Sequence, residues 1–364
     1  MESIFNQKDC NVVVIGDTYV SPDTMEAAVF ASKLSVKSVE KLFWGTDDKD
    51  EFDQNQMKVE RGGAEAVPYP KELDECIRTA DIIMTHYCPI PEAVLQAGKQ
   101  LKAIITCRGG VEHIDMVAAT KRKIPVVTVV RNAEAVAEFT LGMCISLTRN
   151  IATSYHALKC KKWEKQYFNT PYVMTLSQYK VGLVGLGNIG LAFARKLLAL
   201  GVTVVAYDPY VTPKRLEQEG VSAVELVDST EEIFQTADIV SLHMRLTKET
   251  ERTIDWKYFS LMKPTAYLVN TARGGLINYE DLHRALQEKV ILGAALDVFE
   301  KEPVESDNPL LAMENVLLTS HIAGTTVDAI SQAPYLLMKE VDRIVDTGTT
   351  HCIVNYTACM KKKV

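Results

Sequence analysis

Nowhere in the 364 residues does an apolar run approach the roughly 18 residues needed to cross a bilayer. The first stretch, Met-Glu-Ser-Ile-Phe-Asn-Gln-Lys-Asp, holds neither a basic segment nor a long apolar core, so no secretion signal is expected. Cysteine is scattered, at positions 10, 76, 88, 107, 144, 160, 352 and 359, with no Cys-x-x-Cys and no evident His/Cys pair at ligand spacing. That pattern argues against a disulfide framework and against a metal site, and favours a reducing, cytoplasmic compartment. Positive charge is not in excess: 40 Lys and Arg against 47 Asp and Glu leave a net −7, so nucleic acid is not an expected partner. Internal repeats and low-complexity segments are missing as well. The cluster Lys361-Lys362-Lys363 is read as a solvated tail.

What is present, 47 % hydrophobic and 24 % charged residues, describes a soluble globular chain too long for one ordinary core. Two series of strand–helix units follow one another. Apolar runs at 12–15, 81–84, 103–106 and 126–129 alternate with helix-like stretches at 22–34, 73–79 and 91–97. A second series has strands at 181–184, 202–207, 238–242, 266–270, 293–297 and 316–319, with helices between, for example 188–200 and 280–288. Such alternation predicts an α/β protein made of two doubly wound parallel-sheet domains, each sheet covered on both faces. Residues 133 to about 161 carry apolar residues at helical spacing and are predicted to form one helix crossing between domains. A last helix, 327–346, is predicted to pack back on the first domain. The boundaries expected are 1–131 and 322–364 for one domain and 132–321 for the other.

Within the second series, Gly185-Leu-Gly187-Asn188-Ile189-Gly190 directly follows the apolar run Val181 to Val184. A buried strand ends in a tight turn at Gly185, Gly187 lets backbone approach a pyrophosphate, and Gly190 lets the next helix pack on its strand. The pyrophosphate would then sit on a helix N-terminus, where unpaired N–H groups and the dipole favour an anion. Asp208 closes the following apolar run, 18 residues after Gly190. A carboxylate there accepts bonds from both hydroxyls of an adenosine ribose and repels a 2′-phosphate, which favours NAD over NADP.

Ligands of open parallel sheets bind beyond the carboxyl ends of the strands. There the chain places Asn270-Thr271-Ala272-Arg273-Gly-Gly, then Asp297 to Glu302-Pro, then Ser320-His321-Ile-Ala-Gly324. The set suits reduction of a carbonyl beside a carboxylate. Arg273 can grip the carboxylate through its planar fork, His321 can give the carbonyl oxygen its proton, and Glu302 can orient the imidazole and favour its charged form.

With these four ordered motifs on the page, the chain resembles the D-isomer-specific 2-hydroxyacid dehydrogenases over roughly residues 80 to 346. Among them it is most similar to 3-phosphoglycerate dehydrogenases without an added regulatory domain. The resemblance implies a discontinuous, flavodoxin-like substrate domain beside a Rossmann NAD domain, a homodimer, and a small 2-oxo or 2-hydroxy acid as substrate. It implies Arg273, Glu302 and His321 as catalytic residues. Cofactor contacts are implied at Gly185, Gly187, Asn188, Ile189, Gly190 and Asp208, and at His243, Thr271, Ala272, Asp297 and Gly324. It further implies that the loop Arg108-Gly109-Gly110-Val111 offers backbone N–H groups to the substrate carboxylate, as adjacent glycines can.

Two stretches depart from the family's usual pattern. His243-Met-Arg245-Leu-Thr247 has an arginine where a proline is usual, and Arg108-Gly-Gly-Val-Glu-His113 replaces an Ala-Gly-Thr-Gly type run. Arg245 can reach a cofactor or an anionic substrate tail, or can stand as a solvated loop residue. Arg108, Arg131, Arg149 and Arg245 suit a phosphoglycerate, a sugar acid or a dicarboxylic keto acid alike. An NAD(H)-sensing corepressor-like binding protein on the same scaffold is the alternative function.

Overall fold

A computed structural model describes residues 5, 9–46, 48–348 and 352–360; most of the N-terminal stretch read above and the Lys361–Lys363 tail lie outside them. The chain forms two compact units, one made of the residues up to Arg131 together with those from Thr326 onward, the other of Asn132–Thr325.

The first unit is built on five strands, β1 (Cys10–Gly16), β2 (Val36–Phe43), β3 (Ile82–Thr85), β4 (Ala103–Thr106) and β5 (Val126–Thr128), ordered β2-β1-β3-β4-β5 and all parallel. Successive side chains of a strand point to opposite faces. Val12, Val14, Met84 and Ile105 accordingly join one core layer with Leu337 and Val341. Val13, Ile15, Ile83 and Ile104 join the other with Leu73, Ile77 and Leu95. The sequence reading missed β2, because its eight residues are mostly half or fully exposed and carry Lys37, Glu40 and Lys41. It is an edge strand, and charge on an edge hinders pairing with other chains.

The chain end returns to this unit. Lys33 Nζ meets Asp346 at 2.6 Å, and the Lys33 N–H donates to Asp342 Oδ1 at 2.9 Å. Beyond the helix, Asn355 Oδ1 accepts the N–H of Val126 while its Nδ2 donates to the carbonyl of Ile124, both at 2.9 Å. The predicted helix over 327–346 is two helices, Val327–Ser331 and Ala333–Thr347, with Pro334 in the first turn of the second. Proline has no N–H to continue a preceding helix, and its fixed φ suits a helix start.

The second unit carries seven parallel strands: β6 (Lys180–Val184), β7 (Thr203–Tyr207), β8 (Glu225–Leu226), β9 (Ile239–Leu242), β10 (Tyr267–Asn270), β11 (Gly293–Leu296) and β12 (Val316–Leu318). Their order is β12-β11-β10-β9-β6-β7-β8, so the winding reverses between β6 and β9, where such sheets bind their ligands. One face packs on the Ala133–Thr148 and Asn188–Ala199 helices through Met143, Leu147, Leu191 and Leu197. The other packs on Ile233, Phe234, Leu282 and Ala285. The two-residue β8 also escaped the sequence reading, being too short to show a pattern.

The long helix predicted for 133–161 ends at Thr148, and a second runs Ile151–Lys159, both inside the second unit. Asn150 breaks it, in the left-handed region at φ 57°, its buried amide donating to Asn169 Oδ1 at 2.7 Å. Asn169 in turn donates to the Thr148 carbonyl at 3.1 Å and to the Tyr267 hydroxyl at 2.9 Å. An asparagine tolerates this backbone well, and the tertiary partner decides the break. A His/Cys pair also meets, against the sequence reading: His156 and Cys160, one turn apart, with Nε2 and Sγ at 3.6 Å.

Candidate active site

The turn after β6 fits a dinucleotide. Gly185 has φ 99°, and a Cβ there would lie 2.8 Å from the carbonyl carbon of His243. At Gly190 a Cβ would come within 2.4 Å of the Gly185 oxygen, so the helix can sit this close to its strand only with glycine. A Cβ on Gly187 would meet nothing within 4 Å among the described residues, and the helix begun by Asn188 and Ile189 has no side-chain cap among them. Its first N–H groups therefore point where an anion can take them. Asp208 is locked onto the same turn: Oδ2 accepts the Leu186 N–H at 2.8 Å and Oδ1 that of Tyr210 at 2.9 Å. Each oxygen keeps a lone pair for a ribose hydroxyl.

The other expected cofactor residues line up along the same sheet edge. His243 Nε2 pairs with Ser241 Oγ at 2.9 Å, and burial pushes its imidazole down to about 4, so the ring is neutral. Thr271 Oγ1 shares a hydrogen bond with Thr140 at 2.8 Å, and Ala272 N–H donates to Asn270 Oδ1 at 3.0 Å. Asn270 also donates to the Arg273 carbonyl at 2.9 Å, which shapes the turn that carries Arg273. Gly324 is closely packed, a Cβ there meeting Asn132 Nδ2 at 2.7 Å.

Asp297 is completely buried at the end of β11, and its carboxylate is spent on the loop after β12. Oδ1 accepts the Thr319 hydroxyl at 2.7 Å and the Ile322 N–H at 3.0 Å, and Oδ2 the Ala323 N–H at 2.9 Å. The Asp297 carbonyl accepts the His321 N–H at 2.8 Å. This clamp holds His321 in the left-handed region, φ 55°.

From there His321 Nδ1 faces Glu302 Oε2 at 2.6 Å, while Glu302 Oε1 accepts the Phe299 N–H at 2.9 Å. Burial raises the Glu302 carboxyl, but the bonds from His321 and Phe299 outweigh it and hold it below the ordinary range. An ionised Glu302 fixes the tautomer with the proton on Nδ1 and stabilises the imidazolium. Arg273, exposed, donates from Nη1 to the Ala272 carbonyl at 2.7 Å. Arg273, Glu302 and His321 line one pocket of about 320 Å³, together with Leu246, Glu251, Arg252, Val298, Phe299 and Glu300. Sequence reasoning passed over Arg252, which belongs to no motif, and gave no role to Glu300 inside the motif that ends at Glu302. Arg245 stands outside this lining, exposed, and among the described residues only its carbonyl is engaged, by the Thr250 hydroxyl at 2.7 Å.

In the five-stranded unit, Arg108 is sandwiched rather than solvated. Its guanidinium lies 3.5 Å from the Tyr87 ring centre, Nη2 donates to Glu60 Oε1 at 2.8 Å, and Nη1 is buried without a partner among the described residues. Gly109 and Gly110 follow it, and a Cβ on Gly110 would strike the Glu112 carboxylate at 2.4 Å. Arg131 binds His86, whose other ring nitrogen pairs with Asp17 at 2.8 Å. Arg149, in the other unit, is exposed.

The sequence profile of the D-isomer specific 2-hydroxyacid dehydrogenase, NAD binding domain, matches residues 141–323. Over 296 residues the chain is 34 % identical to D-3-phosphoglycerate dehydrogenase of Methanocaldococcus jannaschii, covering 81 % of this chain and 55 % of that protein. To glyoxylate reductase of Thermofilum pendens it is 37 % identical over 293 residues, 79 % of this chain and 85 % of that one. Its fold is similar to that of a D-isomer specific 2-hydroxyacid dehydrogenase from Lactobacillus delbrueckii ssp. bulgaricus, with TM-score 0.65 at 24 % identity over 94 % and 99 % of the two chains. The chain spans about half the length of the D-3-phosphoglycerate dehydrogenases it matches. With the profile seated on the glycine turn and the 37 % identical relative covered over most of its length, the chain belongs to the D-isomer specific 2-hydroxyacid dehydrogenases, and its seven-stranded unit is an NAD-binding domain of that family.

Proposed function

We propose that this protein reversibly reduces a 2-oxo acid to its D-2-hydroxy acid with NADH. The reading rests chiefly on one observation: a 2.6 Å His321–Glu302 pair in the same pocket as Arg273, on the sheet edge that carries the glycine turn. Gly185 to Gly190 and Asp208 would hold NAD(H), which would supply or accept the hydride. Arg273 grips the substrate carboxylate and polarises the adjoining carbonyl. His321, paired with Glu302, gives a proton from Nε2 to the carbonyl oxygen as the carbon is reduced, and takes it back in the oxidative direction. Asp297 and Asn270 keep the loops of His321 and Arg273 in place. We assign substrate recognition to Arg108, Gly109 and Gly110, supported by the buried, unpartnered Nη1 of Arg108, and to Arg245.

A phosphorylated three-carbon acid and a sugar acid both suit so many arginines. Screening 2-oxo and 2-hydroxy acids, phosphorylated and not, by the absorbance of reduced nicotinamide tests the proposal. Binding of NAD(H) with no turnover on any member would replace it by the sensor reading. We also read the protein as a homodimer, in keeping with the exposed Ile151, Tyr155, Leu158 and Trp163 of the second unit. Light scattering at several concentrations measures this directly. No helix among the described residues is long and apolar enough to cross a membrane.

A further inference from the structure

Seven non-glycine residues among those described have positive φ, and two of them, His321 at 55° and Arg252 at 53°, line the same pocket. Backbone of this kind is costly without glycine, and it gathers at functional sites when the side chain is needed there. For His321 the need is evident. For Arg252 it lies in what the side chain joins. Its N–H donates to the Gly275 carbonyl at 2.7 Å. Nη1 reaches Glu300 Oε1 at 2.6 Å and Nη2 reaches Asn278 Oδ1 at 3.2 Å.

Those partners stand on the two loops that carry the proposed chemistry. Gly275 and Asn278 follow Arg273 after β10, and Glu300 precedes Glu302 after β11. The two loops touch backbone to backbone at Gly274, where a Cβ would fall 1.9 Å from the Phe299 carbonyl. Such an abutment transmits displacement but does not fix sliding. A guanidinium fork bonded to both sides does.

We propose that Arg252 is a positioning residue: with Glu300 and Asn278 it fixes the Arg273 loop against the Glu302 loop, and so the aim of Arg273 relative to His321. The inference rests on the proposed reductase activity. The ion pair is half exposed, with side chains 42 % and 46 % accessible, and such pairs add little to stability. Its effect belongs to geometry, where an error of about 1 Å can cost a hundredfold in rate.

Arg252→Gly deletes the fork and relieves the backbone; Glu300→Gln keeps the shape and removes the charge. Both are expected to speed amide exchange in 273–279 and 298–302. Both should lower kcat/KM for glyoxylate, and the affinity of the NADH complex for oxamate, about ten- to a hundred-fold. KM for NADH and the melting temperature should hold, and the double variant should be no worse than the worse single one. Unchanged exchange in both loops, or kcat/KM within about twofold of the parent in Arg252→Gly, overturns the proposal. So does tighter oxamate binding in Glu300→Gln, which would make Arg252 a direct anion contact. If the parent reduces no 2-oxo acid, the activity reading fails, while the exchange measurement still decides the role of Arg252.

Discussion

Asp297 holds His321 from two directions: its carbonyl takes the His321 N–H at 2.8 Å, and its buried carboxylate takes the two amides that follow. The proposed acid–base group is thus aimed by a residue on the neighbouring strand. Asp297→Asn leaves one acceptor oxygen for three donors and turns an NH2 toward N–H groups. Hydrogen bonds to a charged group are worth about 1.5–3 kcal/mol each, so urea unfolding should show a loss of roughly 2–4 kcal/mol and activity should fall with it. Parent-like stability would remove Asp297 from this role.

On the proposed mechanism, Glu302 and His321 are expected to set the pH profile. Glu302→Gln deprives the imidazolium of its anionic partner, so the alkaline limb of the reduction profile should move to lower pH. His321→Ala should lower kcat about 10²–10⁴-fold, the scale of a positioned acid or base. An unmoved profile in the first variant, or near-parent turnover in the second, is incompatible with the proposed mechanism.

Asp208 is expected to govern cofactor choice. The parent should prefer NADH to NADPH in kcat/KM, and Asp208→Ala should narrow that ratio, because the carboxylate no longer repels a 2′-phosphate. Because Asp208 also ties down the Leu186 amide at 2.8 Å, NADH affinity should weaken too. Equal efficiency with both cofactors in the parent contradicts the assignment.

His243 links pH to stability. Its ring protonates near 4 in the folded unit and near the ordinary 6.5 when unfolded. Between those values the unfolded state binds more protons, so stability falls as pH drops through about 6.5 to 4 and is no longer affected by this group below. His243→Gln should shrink the stability difference between pH 7 and pH 4.5 by on the order of 2 kcal/mol, with allowance for the ring's partial exposure. Urea titrations at the two pH values measure it, and an unchanged difference contradicts the burial argument.

Arg245 tests the substrate. Arg245→Met should raise KM for a 2-oxo acid with an anionic tail about tenfold or more and leave glyoxylate, which has no tail, unaffected. Equal KM values in parent and variant on both substrates make Arg245 a solvated loop residue.

Much of this was written locally. Both sheets of parallel strands, the glycine turn with Asp208, and the order of Arg273, Glu302 and His321 follow from apolar runs and short motifs, because a buried parallel strand and a phosphate-binding turn each impose residue types on neighbours in sequence. The exposed edge strand β2 and the two-residue β8 have no such signature. Asn150 breaks a helix whose apolar spacing continues, and only its bond to Asn169, 19 residues away, decides it. The use of the Asp297 carboxylate depends on three donors more than 20 residues distant. Arg252 belongs to no motif; what selects it is a left-handed backbone and two partners, 26 and 48 residues further on, that only the packed loops bring within reach. Sequence by itself determined which groups can do the chemistry, since those types are set by charge and pKa. Tertiary structure decided how they are aimed, because aim depends on hydrogen bonds between loops that no local pattern records.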